Sequence, residues 1–204
     1  MSKLNVPILE SGDRLSRDEF HRRYCELPNT HAELIEGVVY VRSPARFALH
    51  GQPHGLVAGW AATYVSRHPE LQYGIESTVY LDPASEVQPD VILFRVPAPP
   101  GGARLRDDGY VEGAPQLIVE VAASSASYDL HDKLRVYEQA EVQEYIVWRT
   151  VDEALDWFRL QDGAFVRVEP NAEGIIESTA FPGLRLHVAK LLAGDTAGVL
   201  AALG

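Results

Sequence analysis

The stretch Leu117–Val121, which reads Leu-Ile-Val-Glu-Val, places an acidic residue inside an aliphatic run that is typical of a buried β-strand. A carboxylate among aliphatic neighbours has a large desolvation cost unless a cation or hydrogen-bond donors meet it. A second acid, Asp90, directly precedes another apolar strand pattern, Val91–Phe94. Carboxylates on adjacent strands are the hard oxygen ligands that Mg²⁺ or Mn²⁺ prefers. Asp90 and Glu120 together therefore indicate a divalent-metal site, although each acid taken singly is better explained as a structural residue.

The elements around this strand follow the order strand, helix, strand. Apolar residues recur at helical spacing over Tyr128–Ala140, and a further strand pattern follows at Glu144–Trp148. This order predicts a crossover connection onto one sheet. Capping, turn and periodicity signals predict the remaining elements: a helix from Ser16 to Leu27, a hairpin over Ala32–Val41, a helix over Pro53–Arg67, a strand over Leu71–Leu81, a hairpin of Asp156–Leu160 and Ala164–Val168, and a closing helix over Val188–Leu203.

One stripe of the crossover helix carries Asp129, Lys133 and Tyr137, which are four residues apart. A surface ion pair of little energetic weight would explain the Asp129 and Lys133 spacing. The functional alternative is that Lys133 reaches toward Glu120, where its ammonium could stabilise a phosphoryl transition state. Because Lys133 is expected on a half-exposed helix face, its replacement should then reduce cleavage while leaving stability nearly unchanged.

Several short motifs, taken in their order along the chain, resemble the PD-(D/E)xK nuclease superfamily. Within it they resemble the bacterial restriction-endonuclease family called Uma two, a domain of unknown function. The resemblance runs from about Leu15 to Leu192. Its marks are Glu33-Leu34-Ile35-Glu36-Gly37, Ser43-Pro44 followed by His50, Pro89-Asp90-Val91, Gly113-Ala114-Pro115, Ile118-Val119-Glu120-Val121, the set Asp129, Lys133 and Tyr137, Glu144-Tyr145-Ile146-Val147-Trp148, and Pro182-Gly183-Leu184.

The resemblance implies an α/β fold with a restriction-endonuclease-like three-layer core, in which helices flank a central mixed sheet and a β-hairpin region follows toward the C-terminus. It implies that Asp90 and Glu120 bind the metal and that Glu33 approaches the same site. Ala122 stands where a lysine would complete the E-x-K motif. In the resembling family that lysine lies on the following helix, which here assigns the position to Lys133.

The crossover residues Asp129 and Tyr137 are candidates for lining the same cleft. His50 matches the family's histidine in this region and is a further candidate. His50 and His54 have the spacing of a helical metal pair, but Pro53 lies between them and indicates that His50 precedes the helix. The sequence therefore argues against a dedicated histidine metal site.

Composition limits the partners and the location. With 18 basic and 29 acidic residues the net charge is -11, which is unfavourable for tight binding of nucleic acid, so DNA is expected to bind weakly or through the metal. A single cysteine, Cys25, excludes a disulfide or thiolate cluster within the chain. The N-terminus lacks a secretory pattern and no stretch reaches transmembrane length, so we expect one cytoplasmic domain over residues 1–204 without a membrane partner.

Two functions remain open at this point. The first is a metal-dependent endonuclease that uses Mg²⁺ or Mn²⁺ to hydrolyse DNA phosphodiester bonds. The alternative is a non-catalytic binding or regulatory protein of the same fold, which the acidity and the lack of a basic stripe favour. A glycosidase would need two carboxyls of contrasting environment in an open groove, and nothing in the sequence requires one. The apolar segment Ala154–Val168 also predicts a homodimer, if it extends outside the metal core.

Overall fold

The aliphatic run around Glu120 forms a central strand, β9, of a six-stranded sheet in the computed structural model, which describes residues 6–123 and 125–204. Residues 1–5 of the expected domain, and Ser124, lie outside the described part of the chain. This sheet has the order β12-β11-β10-β9-β6-β3. Its strands are β3 (Leu71–Ile75), β6 (Val91–Arg95), β9 (Leu117–Ala122), β10 (Glu144–Arg149), β11 (Ala154–Gln161) and β12 (Ala164–Arg167).

The central sheet is mixed. β9 pairs in parallel with β10 and antiparallel with β6. The parallel pair requires a crossover, and the segment between the two strands supplies it with α3 (Ala126–Tyr128), a π-helical turn (Asp129–Lys133) and α4 (Leu134–Gln139).

A second six-stranded sheet packs beside the crossover and has the order β2-β1-β5-β4-β8-β7. Its strands are short: β1 (Ala32–Ile35), β2 (Val38–Val41), β4 (Val79–Asp82), β5 (Ser85–Val87), β7 (Arg104–Leu105) and β8 (Val111–Glu112). A separate ribbon pairs β13 (Ile175–Glu177) with β14 (Arg185–His187). The other helices are α1 (Arg17–Glu26), α2 (Gln52–Val65), α5 (Val188–Leu192) and α6 (Thr196–Ala201), and a π-helical turn, Phe47–Gly51, runs directly into α2.

Alternation along β9 determines which layer each side chain enters. Leu117, Val119 and Val121 pack in the apolar cluster that contains α2 and the C-terminal helices. Ile118 and Ala122 pack in the cluster on the opposite face, with the crossover and the second sheet. Glu120 has the parity of Ile118 and Ala122, so its side chain points toward the crossover. The α/β three-layer architecture expected from the sequence is confirmed.

Two local expectations about secondary structure were wrong. Leu71–Leu81 is two strands in different sheets, because Glu76, at a φ of 47°, turns the chain out of β3. The closing helix breaks at Gly194, whose φ is 68°, and α6 restarts with Asp195 accepting a hydrogen bond from Gly198 N. At α1, Ser16 caps the helix by accepting a hydrogen bond from Glu19 N, and the Glu19 carboxylate pairs with Arg22 and Arg23.

The segment Ala154–Val168 also differs from its expected position. β11 pairs with β10 over Ala154–Arg159, and Leu155, Asp156 and Trp157 are buried, so the first strand of this hairpin belongs to the core. Among the described residues, no helix is both long and apolar enough to cross a membrane.

Two buried tryptophans provide a matched test of this core. Trp60 Nε1 donates to Arg185 O at 2.8 Å, whereas Trp157 Nε1 has no acceptor among the described residues. Both changes to phenylalanine remove similar volume, but only Trp60→Phe removes a hydrogen bond. We expect Trp60→Phe to cost about 1–2 kcal/mol more than Trp157→Phe in urea unfolding. Equal costs would show that the Trp60 hydrogen bond contributes nothing.

Candidate functional site

The pairing of β6 with β9 places the two strand carboxylates side by side. The register Val91↔Val119 puts Asp90, one residue before β6, next to Glu120. Asp90 Oδ2 accepts a hydrogen bond of 2.6 Å from the backbone N–H of Val121. That bond fixes the carboxylate, whereas Oδ1 is buried without a hydrogen-bond donor among the described residues. Both acids are almost fully buried, at 1% and 2% exposure.

Lys133 connects Glu120 to a third carboxylate. Its Nζ lies 2.7 Å from Glu120 Oε1 and 2.9 Å from Glu33 Oε2. Glu33 belongs to β1 of the second sheet, so one lysine joins both sheets through their acids. Tyr137 donates from its hydroxyl to Glu120 Oε1 at 3.1 Å. The structure thus brings together Glu33, Asp90, Glu120 and Lys133. Position 122, where the motif would have a lysine, is an alanine, and the lysine that contacts Glu120 comes from the crossover instead.

The π-helical turn explains how the crossover contributes two charged groups to one point. Asp129 and Lys133 are its first and last residues, and Asp129 Oδ1 lies 3.7 Å from Lys133 Nζ. Ser125 donates to the other oxygen of Asp129. π-Helical turns within helices are frequent at functional sites. Lys133 is only 1% exposed, so the expectation that it lies on a half-exposed helix face is wrong.

A cation that the sequence did not single out, Arg42, lies among the same acids. Its guanidinium nitrogens are 3.6 Å from Glu33 Oε2, 3.6 Å from Asp90 Oδ1 and 3.7 Å from Glu120 Oε2. The hairpin register could have revealed it. Glu33 pairs with Tyr40, so Arg42, two residues further on, is the diagonal neighbour of Glu33 on the same face.

His50 approaches the other side of Asp90. Its Nδ1 lies 2.9 Å from Val121 O, and its Nε2 lies 3.4 Å from Asp90 Oδ1. The turn before α2 keeps His54 beside it, with ring centroids 5.5 Å apart, so Pro53 does not separate the two imidazoles. The Asp90 carboxylate beside it, opposed by burial, raises the pKa of His50.

The electrostatics of the cluster leave acid charge uncompensated. Burial opposes ionisation of Glu33 and Asp90, yet their cationic neighbours and backbone N–H donors hold both pKa values below the usual range. Burial dominates at Glu120, with Lys133 opposing it, and raises its pKa to about 8. Burial likewise raises the pKa of Asp129. The cations present therefore do not suffice for all of the acids.

The cluster forms one wall of a cleft of about 1320 Å³, to which Asp90, Glu120, Asp129 and Lys133 all contribute. Tyr137 is fully buried behind this wall. Arg46 and His31, both exposed, also line the cleft. The arrangement can hold a cation between carboxylates and admit a ligand from one side.

Burial of Lys133 reverses the expectation about its removal. Lys133→Met would leave Glu120 and Glu33 without their closest cation, so it should cost about 3–5 kcal/mol of unfolding free energy. Lys190, exposed and 3.1 Å from Asp195, provides the control, and Lys190→Met should change stability by less than about 0.5 kcal/mol. Chemical denaturation measures both, and equal midpoints for the two variants would contradict the buried role.

Comparisons with known proteins agree with this fold. A crystal structure at 1.96 Å from Anabaena variabilis, described as "a putative nuclease belonging to DUF820", is 15% identical and has a TM-score of 0.69. It covers 88% of this chain, and 98% of its own chain is covered, so the two share a fold. The search of curated proteins found no match. The family model Uma2, described as "Putative restriction endonuclease", matches residues 17–189, and the chain therefore belongs to the Uma2 family.

Proposed function

We propose that this protein is a metal-dependent endonuclease that hydrolyses DNA phosphodiester bonds in the cytoplasm. The observation that carries the proposal is the charge of the buried cluster. Four carboxylates, Glu33, Asp90, Glu120 and Asp129, share a space with two permanent cations, Lys133 and Arg42. When all four carboxylates are ionised, one divalent cation would neutralise the remaining charge.

The residues fit such a cation. Asp90 Oδ1 accepts no hydrogen bond from the described residues although it is buried, so it retains lone pairs for a ligand. Asp90 and Glu120 would hold Mg²⁺ or Mn²⁺, both of which prefer carboxylate oxygens. When bound, the ion would supply Lewis acidity toward a phosphate oxygen.

The protein's own groups have separate tasks in this proposal. Lys133 orients Glu120 through its 2.7 Å contact and keeps positive charge beside the cleft, where charge develops during phosphoryl transfer. Glu33 holds Lys133 from the second sheet. Arg42 makes only ion-pair contacts longer than 3.5 Å to the acids, so its guanidinium can turn toward a DNA phosphate once a metal is present.

The alternative, a non-catalytic binding or regulatory protein, is favoured by one observation. The net charge of -11 opposes association with a polyanion. The two functions differ in whether a bound metal leads to cleavage.

Homodimer formation belongs to the same proposal. β12 is the outermost strand of the central sheet, and Val166 on it is exposed. Because β11 is part of the core, β12 and not the whole hairpin would form the shared surface. We expect sedimentation at micromolar concentration to show a dimer that Val166→Lys weakens. A monomer throughout would contradict this part.

The nuclease proposal predicts metal binding followed by cleavage. Calorimetry should detect Mg²⁺ or Mn²⁺ binding that Asp90→Asn weakens by about tenfold or more. Arg42→Gln should tighten binding, because it removes a cation that lies among the ligands. Arg46→Gln is the matched control, since Arg46 is exposed at the cleft opening.

Cleavage is measured on plasmid and single-stranded DNA with each metal. Asp90→Asn should reduce the rate by about a hundredfold or more. Metal binding by a folded protein without cleavage of any substrate would favour the non-catalytic alternative. A lack of metal binding at millimolar concentration would remove the mechanism itself.

A further inference from the structure

A second group of metal-ligating side chains surrounds the opposite side of Asp90. His50, His54, Glu76 and Asp90 each offer one ligand atom, and these atoms lie within 4.8 Å of one another. The two histidines come from the turn before α2 and from α2 itself, and Glu76 follows β3. Elements distant in sequence thus converge on one carboxylate.

Asp90 provides the independent sign of a missing ligand. It is 1% exposed, and its Oδ1 accepts no hydrogen bond from any residue that the structure describes. Its Oδ2 is held by Val121 N, so Oδ1 cannot turn away without breaking that bond. Leaving such an oxygen unpartnered costs free energy that a cation would recover.

The histidines are arranged as metal ligands usually are. His50 Nδ1 lies 2.9 Å from Val121 O, and His54 Nε2 lies 2.9 Å from Asp90 O. A carbonyl oxygen only accepts, so each of these nitrogens carries a proton. Donation of one ring N–H to a carbonyl fixes the tautomer of most metal-binding histidines. His50 Nε2 then faces Asp90 Oδ1 at 3.4 Å, close to the edge of a tetrahedron with metal–ligand bonds of about 2.1 Å.

We propose that His50, His54, Glu76 and Asp90 form a second cation site that takes a transition-metal ion such as Zn²⁺ or Co²⁺. Imidazole nitrogen selects these ions over Mg²⁺, which prefers oxygen ligands. Glu76 is exposed, so its carboxylate can move inward to complete the site.

This site goes beyond the proposed nuclease centre and does not require cleavage. Arg42 lies on the Glu120 side of Asp90, 3.6 Å from Oδ1 and 3.7 Å from Glu120 Oε2. On the histidine side of Asp90, no lysine or arginine among the described residues lies close to Oδ1, so a metal ion could bind there. Asp90 would be a ligand in both sites. Glu120 belongs only to the nuclease centre, and His54 and Glu76 belong only to the histidine site.

The test is titration of the chelator-treated, gel-filtered protein with Co²⁺, followed by its visible d–d absorption, and with Zn²⁺ by calorimetry. We expect stoichiometric binding that His54→Gln and Glu76→Gln each weaken by about tenfold or more. Glutamine at position 54 can still donate to Asp90 O, which preserves the local fold. His68→Gln and Glu70→Gln are the matched controls, because this exposed pair lies 3.4 Å apart and should not affect binding.

Glu120→Gln separates the two sites. Co²⁺ absorption should persist in Glu120→Gln, whereas binding of Mg²⁺ at the nuclease centre should weaken. The histidine site is overturned if Co²⁺ and Zn²⁺ fail to bind, or if their binding is lost in Glu120→Gln but unchanged in His54→Gln and Glu76→Gln. If His54→Gln does not fold, the exposed Glu76→Gln decides the result alone.

Discussion

Burial of acid charge is the constraint on which the rest of this structure depends. Glu33, Asp90, Glu120 and Asp129 meet from two sheets and a crossover, each at 3% exposure or less on its side chain. Such a group is unstable unless cations meet it. Lys133 contacts three of the four, so one ammonium links the two sheets and the crossover.

The strand carboxylates could be predicted because their cause is local. An acid inside an aliphatic run needs compensation whatever its partner is, and the residues of Leu117–Val121 show the run directly. Lys133 could be placed on the same helical stripe as Asp129 by spacing alone. Its burial could not, because Lys133 is covered by β1 of the second sheet, and the packing of that sheet against the crossover depends on contacts between residues distant in sequence.

Two other failures also have a physical origin in tertiary structure. Pro53 correctly indicated that His50 precedes α2, but it did not reveal that a π-helical turn continues into the helix and keeps the rings of His50 and His54 together. Arg42 was overlooked because its partners are 9, 48 and 78 residues away in sequence. Of these three contacts, only the one with Glu33 could be predicted, because the hairpin register makes Arg42 its diagonal neighbour. The sequence thus shows which buried charged groups need partners, but it does not readily show which residues those partners are.

Delivery of the lysine by a crossover has a consequence for how the site can be lost. A lysine two residues after Glu120 would be held by the hydrogen bonds of the central sheet, which open only when the whole domain unfolds. Lys133 instead lies at the junction of a π-helical turn and α4, a helix of six residues. Short helices rely on tertiary packing and not on their own hydrogen bonds. Amide exchange in this segment would therefore report on the acid cluster, and local opening there would release the buried carboxylates while β9 and β10 remained paired.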